Sequence, residues 1–133
     1  MPEYYFEDFP VGRTFATEPW PLSEEDILAY ARKYDPQPYH TDPEAAARMP
    51  FGGLIASGFH TVAIASGQLV RAIIAHAAGM GGPGMDDIRW LKPVRPGDVL
   101  RTTVTVQAAR VSNSKPDRGF VTFALETTND AGT

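Results

Sequence analysis

Asp35 and His40 stand five residues apart in the stretch Tyr34-Asp35-Pro36-Gln37-Pro38-Tyr39-His40-Thr41-Asp42. A carboxylate and an imidazole held at fixed separation form a proton-transfer pair, in which one group takes a proton while the other gives one. Pro36 and Pro38 stiffen the connection between them. A plainer reading of the same residues stays open. Asp-Pro is an ordinary helix stop, and charged residues close in sequence usually lie on the surface. A second candidate is Ser57-Gly58, ahead of a long apolar segment. The first N–H groups of a helix lack intrahelical partners, and glycine lets a ligand oxygen come close to the backbone. An oxyanion donor is built from such groups. Ser-Gly at a helix start is also common without any chemistry.

Elements on both sides must hold these groups. Ser23 is a good N-cap, followed by Glu24, Glu25 and Asp26 in the first turn. Ile27, Tyr30, Ala31 and Tyr34 recur at helical spacing on one face. Asp35 precedes proline and is pushed out of helical geometry, so the helix ends at Tyr34 or Asp35. A carboxylate there meets the negative end of the helix dipole. With desolvation by Tyr30, Tyr34 and Tyr39, this predicts a raised pKa and a better base. Asp42-Pro43 predicts an N-cap and first residue of a short second helix, which assigns Asp42 to capping. Phe59 to Ala78 is apolar on most sides and predicts a central, largely buried helix with Ser57 as its N-cap.

The remaining chain reads as strands and turns. Tyr4 to Phe9 is expected to be a docking arm or short strand, and Val11 to Thr17 a first strand. Met85 to Val94 reads as a strand. Val99 to Val111 alternates, with Leu100, Thr102, Val104, Val106 and Ala108 on one side. Phe120 to Thr128 alternates again, with Val121, Phe123 and Leu125 on one side. Asn113–Gly119 and Asn129–Gly132 read as hairpin turns. Gly79–Gly84 is glycine-rich but lacks the pattern of a phosphate loop. A long apolar helix needs a surface to bury against, and a curved antiparallel sheet supplies one.

The chain has 133 residues, which suits one domain, 1–133. It has no cysteine, so neither a disulfide framework nor thiolate chemistry is available. Net charge is −4 with both signs mixed, and no basic nucleic-acid face stands out. The acidic N-terminus is unlike a signal peptide. The run Val62 to Ala78 contains Gln68, Arg71 and His76, which argues against a membrane span. The expectation is a cytoplasmic domain with neither nucleic acid nor membrane as partner.

In this order, the helix, the Asp-x-x-x-x-His loop, the Gly-Gly-Leu-Ile-Ala-Ser-Gly segment and the long helix resemble the MaoC-like dehydratases. These are the (R)-specific enoyl-CoA hydratases of the hot-dog fold. The resemblance covers residues 9–128 and is most specific at 34–47, 51–58 and 90–98. It implies an α+β hot-dog fold, an antiparallel sheet wrapped around a long central helix. It implies that Asp35 and His40 are the catalytic pair and Gly58 the oxyanion-hole residue. Ser66, eight residues beyond Gly58, matches a serine near the active site in some members. Ser57, Ser66, His60, Tyr39 and Gln37 are expected around the substrate. There are two departures. The motif asparagine is Gln37 here, which bears on substrate choice and activity. The family's last strand has no counterpart after the turn at 129–132, so the natural chain is expected to continue past Thr133.

The implied reaction is hydration or dehydration at the Cα–Cβ bond of an acyl-CoA, with no cofactor. Asp35 is the main base on a water, His40 orients that water and helps protonate Cα, and the Gly58 amide holds the enolate oxygen. The implied partners are an acyl-CoA and a second copy of the chain, since relatives join as homodimers. A thioesterase on the same fold and a non-catalytic acyl-CoA-binding module are the rival readings. A metal site at His40, Asp42, His60 and His76 fits no zinc spacing. Arg71, Arg89, Lys92, Arg95 and Arg101 are candidates for the CoA phosphates, though each also reads as a solvated charge.

Overall fold

The computed structural model describes residues 2–132. In chain order the elements are β1 (Thr14–Ala16), β2 (Trp20–Pro21), α1 (Glu24–Tyr34), α2 (Pro38–Thr41), α3 (Pro43–Ala47), α4 (Gly58–Ala72), β3 (Val99–Val111) and β4 (Gly119–Thr128). Short 3-10 turns lie at Phe6–Asp8 and Ile74–His76. Two compact units divide the chain. One comprises Met1–Glu18, Ala65–Pro83 and Arg101–Thr127, and the other Pro19–Ile64, Gly84–Leu100 and Thr128–Thr133. The division falls inside α4 and inside β3.

In the first unit, β3 is a half-buried strand of the expected period. Thr102, Val104 and Val106 are buried, while Arg101, Thr103 and Gln107 are exposed. β1 pairs antiparallel with β3, Phe15 opposite Val104, and β4 pairs with β3 as well. Phe9, Ile73, Val104 and Val106 form the core, with Tyr4, Phe15, Leu69, Val121 and Phe123 packed against it. Each fully buried aliphatic side chain contributes about 1.5–3 kcal/mol. A buried polar set crosses this core. Gln68 Nε2 donates to the Glu18 carbonyl at 2.9 Å, and Thr102 Oγ1 donates to Gln68 Oε1 at 2.8 Å. The alternation fades at the strand ends, where Ala108 and Leu125 are exposed rather than buried. The N-terminal segment is a 3-10 turn, closed by Tyr5 N–H donating to the Asp8 carboxylate at 2.8 Å, and Phe9 enters the core.

The second unit holds the helices predicted around Asp35. Ser23 caps α1 by accepting from Asp26 N–H at 3.1 Å, and Ile27 and Ala31 are fully buried. Asp42 caps α3, accepting from Glu44 and Ala45 N–H at 3.1 Å. Leu22, Ile27, Ala46, Leu54, Ala56, Ile64 and Leu100 make the core. β2 pairs antiparallel with the start of β3, Trp20 opposite Leu100.

Three expectations are corrected here. The long helix ends at Ala72 rather than Ala78, because Ile73 leaves helical geometry (φ −131°, ψ −61°) as its side chain enters the first unit's core. It is also not buried all round. Ile64, Ala65 and Gln68 are buried, whereas Phe59, Ala63, Ser66 and Val70 are exposed. Met85–Val94 is not a strand. Asp87 turns the backbone at φ 55°, Pro93 has no N–H for a ladder, and Met85, Ile88 and Leu91 are exposed.

Candidate active site

Asp35 is the residue at which α1 stops. Its N–H still bonds to Ala31 O, but its own backbone has left the helical region (φ −155°, ψ 69°), which the following proline disfavours. Gln37 N–H then donates to Asp35 O at 2.8 Å, and Pro38 starts α2 at its first position. This four-residue helix puts His40 back against Asp35. His40 Nε2 lies 3.4 Å from Asp35 Oδ2, with the imidazole side chain 5% exposed and the carboxylate 20%.

The His40 tautomer follows from its other nitrogen. Nδ1 is 2.7 Å from the Ile55 carbonyl, which can only accept, so Nδ1 carries the hydrogen and Nε2 faces Asp35. Ile55 is itself fixed by donating its N–H to Tyr39 O at 3.1 Å.

Both Asp35 oxygens are occupied. Gln37 Nε2 donates to Oδ1 at 2.6 Å, and the Ser57 hydroxyl donates to Oδ2 at 2.8 Å. The Tyr39 hydroxyl in turn donates to Gln37 Oε1 and orients that amide. These contacts overturn the expected pKa shift. Burial pushes the Asp35 carboxyl upward and is the largest single effect. Together, the hydrogen bonds from Gln37 and Ser57 and the neighbouring His40 outweigh it and hold the group below the ordinary carboxylate value. Asp35 is therefore a carboxylate at neutral pH, available as a base.

Ser57 does not cap α4 with its side chain. Its carbonyl takes the first helical bonds, from His60 and Thr61 N–H at 3.0 and 3.2 Å, while its buried hydroxyl goes to Asp35. Gly58 begins α4. Among the described residues its N–H meets no acceptor, and its carbonyl accepts from Trp90 Nε1 at 2.8 Å.

The remaining candidates are less closely tied to the pair. Tyr39 packs on His40, ring centroids 4.4 Å apart, and on Phe51 at 5.4 Å. His60 stacks on Tyr30 at 4.4 Å and 6°. Its Nδ1 is buried with no hydrogen-bond partner among the described residues, and burial lowers its pKa against a smaller upward pull from Asp26. Ser66 lies on the exposed face of α4, in the first unit. Arg95 donates to the Phe51 carbonyl at 2.6 Å, and Arg89 pairs with Asp87 at 2.8 Å. Two features escaped the sequence reading: the Ser57 hydroxyl on Asp35, and Trp90 on Gly58. Each joins residues far apart in the chain, and no local pattern announces them.

The chain is similar to several known proteins. Residues 8–129 match the family described as MaoC like domain. An uncharacterized protein, YdeM, of Bacillus subtilis is 33% identical over 126 residues, 92% of this chain and 86% of the relative. A 3-hydroxybutyryl-CoA dehydratase of Methylorubrum extorquens is 33% identical over 107 residues, 77% of this chain and 63% of the relative. The crystal structure of a MaoC-like dehydratase from Rhodospirillum rubrum is 42% identical with a TM-score of 0.89, covering 96% of this chain and 86% of that one. The unliganded (R)-hydratase of Pseudomonas aeruginosa shares the fold, with a TM-score of 0.73 at 23% identity, covering 96% of this chain and 77% of that one. With its antiparallel sheet and central helix, the chain has the hot-dog fold and belongs to the MaoC-like dehydratase family.

Proposed function

We propose that this protein adds water to, or removes it from, the Cα–Cβ bond of an acyl-CoA thioester, with (R) stereochemistry at the hydroxylated carbon. The observation that carries the reading is the Asp35–His40 pair. Its carboxylate is ionised, its imidazole tautomer is set by Ile55, and its Asp35 accepts from Ser57, the residue preceding the open Gly58 amide.

Hydration begins with Asp35 as the carboxylate and with the His40 hydrogen on Nδ1, which leaves Nε2 as an acceptor. Asp35 takes a proton from a water whose oxygen attacks Cβ. The π electrons move toward the thioester carbonyl, whose oxygen becomes an enolate facing the Gly58 N–H. The proton taken from water passes from Asp35 across the 3.4 Å gap to His40 Nε2, which delivers it to Cα as the enolate collapses. One water has been added, and Asp35 is again a carboxylate and His40 again neutral. Dehydration is the reverse. Losing one oxyanion-hole donor costs roughly 3–4 kcal/mol of transition-state stabilisation in other enzymes, so Gly58 carries weight comparable to either side chain.

Gln37, in place of the motif asparagine, is built into this device: its amide reaches the Asp35 carboxylate directly. The Ser57 hydroxyl also donates a hydrogen bond to the Asp35 carboxylate. The test is incubation of the pure protein with a panel of enoyl-CoAs. Loss of the conjugated double bond without free thiol is the expected result. Release of free CoA thiol makes the protein a thioesterase, and binding without turnover makes it a carrier module.

A further inference from the structure

A glutamine amide steadies a carboxylate only if the amide itself is held. Gln37 is exposed, and a free glutamine side chain rotates about several torsions, so its bond to Asp35 gives up much rotamer freedom. Its place as the residue before α2 does not restrain it, because the side chain makes no capping bond. The hold comes from the other end of the same amide. Oε1 accepts from the Tyr39 hydroxyl, while Nε2 donates to Asp35 Oδ1 at 2.6 Å. Resonance keeps an amide planar, so a partner held at Oε1 restrains the plane that also carries Nε2. Both partners select the same end-for-end orientation. A hydroxyl hydrogen meets the oxygen, and a carboxylate, which can only accept, meets the nitrogen. Tyr39 is a fixed point for this purpose. Its ring stacks on Phe51 at 5.4 Å and 12°, meets His40 at 4.4 Å, and packs against the second unit's core. Its carbonyl accepts from Ile55 N–H at 3.1 Å. Hydrogen bonds in series also polarise one another, so an amide that accepts at oxygen donates more strongly at nitrogen.

We propose that Tyr39 is a positioning residue for the base, acting on Asp35 through the Gln37 amide rather than on the substrate. Gln37 is one methylene longer than the motif asparagine, and the Tyr39 hydroxyl takes up the freedom that this methylene adds. Water can replace the hydrogen bond at Oε1, but not the fixed point from which it is made. His40 is the charged group facing Asp35, and its two other partners, Gln37 and Ser57, are neutral. The consequence for catalysis rests on the hydratase reading, whereas the coupling of Tyr39 to Asp35 does not.

Tyr39→Phe on the full chain removes the hydroxyl and keeps the ring on Phe51 and His40. With one donor to Asp35 weakened, the Asp35 pKa should rise. The acid limb of kcat/KM should then move to higher pH by a few tenths of a unit, about twofold in the proton equilibrium. KM at neutral pH should stay within about twofold. In a Gln37→Leu background the same substitution should move the limb no further, because the route to Asp35 is already cut. An unmoved limb in the single variant overturns the inference, and a raised KM beside it would make Tyr39 a substrate contact. An equal shift in both backgrounds overturns it too, because the effect would not pass through Gln37. If the wild type turns over no enoyl-CoA, the hydratase reading fails, and the titration midpoint of the Asp35 carboxyl carbon, followed by NMR, decides. That midpoint does not depend on ring currents, and both proteins keep a ring at position 39. A midpoint raised by Tyr39→Phe alone, but not on top of Gln37→Leu, supports the relay, and any other pattern refutes it.

Discussion

Asp35 is a base whose strength is set by three neighbours rather than by its place at a helix end. Gln37 and Ser57 each donate to one of its oxygens, and His40 adds its charge when protonated. All three favour the ionised form. A lowered pKa means that activity requiring the carboxylate persists below the pH at which an ordinary aspartate, near 3.8, would take up its proton. Gln37→Leu removes one donor, so the Asp35 pKa should rise. The acid limb of the kcat/KM profile should then move to higher pH, and a pH-rate series on the two proteins would show it. An unmoved limb would mean that the Gln37 amide does not act on the base. Ser57→Ala removes a buried donor to a charged group. Such bonds contribute about 1.5–3 kcal/mol, and the partial exposure of Asp35 places the expected loss toward the lower end, measurable by urea unfolding.

At the scale of elements, the site depends on two short helices and two caps. Asp42 accepts from two N–H groups at the start of α3, directly after the helix that carries His40. Asp42→Ala should cost about 1 kcal/mol of stability, read from the urea midpoint, with Asp35 and His40 chemically intact. What was legible in the sequence follows from range. Ser23, Pro36 and Asp42 act on neighbours within a few residues, so the helix limits around Asp35 could be read directly. The five-residue spacing of Asp35 and His40 worked for the same reason, although the helical turn at Pro38–Thr41 went unread. Longer-range facts did not show. The direction of the Asp35 pKa depends on Ser57, 22 positions away in the chain. The end of α4 was misplaced because Ile73 is apolar like its neighbours, and only core packing draws it out of the helix. Residues 85–94 have strand-like composition, but a strand needs a partner ladder, and Asp87 and Pro93 interrupt one.

For the whole molecule, exposed apolar side chains call for cover. Phe59, Met85, Trp90 and Leu91 are between 50% and 87% exposed, and Phe59 and Trp90 meet edge to face at 5.7 Å; contiguous exposed apolar surface of this kind marks interaction sites. A homodimer is the expected state. Sedimentation at micromolar concentration should give twice the 14.5 kDa of the chain, whereas a stable monomer would contradict it. The central claim is that Asp35 and His40 act as one unit on one water, and steady-state kinetics on enoyl-CoA test it most directly. Asp35→Asn and His40→Ala should each lower kcat by orders of magnitude with little change in KM. The double variant should be scarcely worse than the worse single one, because members of one catalytic unit are not additive. Hydration that survives Asp35→Asn within a factor of about ten, roughly 1.4 kcal/mol of barrier, would contradict the assignment of Asp35 as the base.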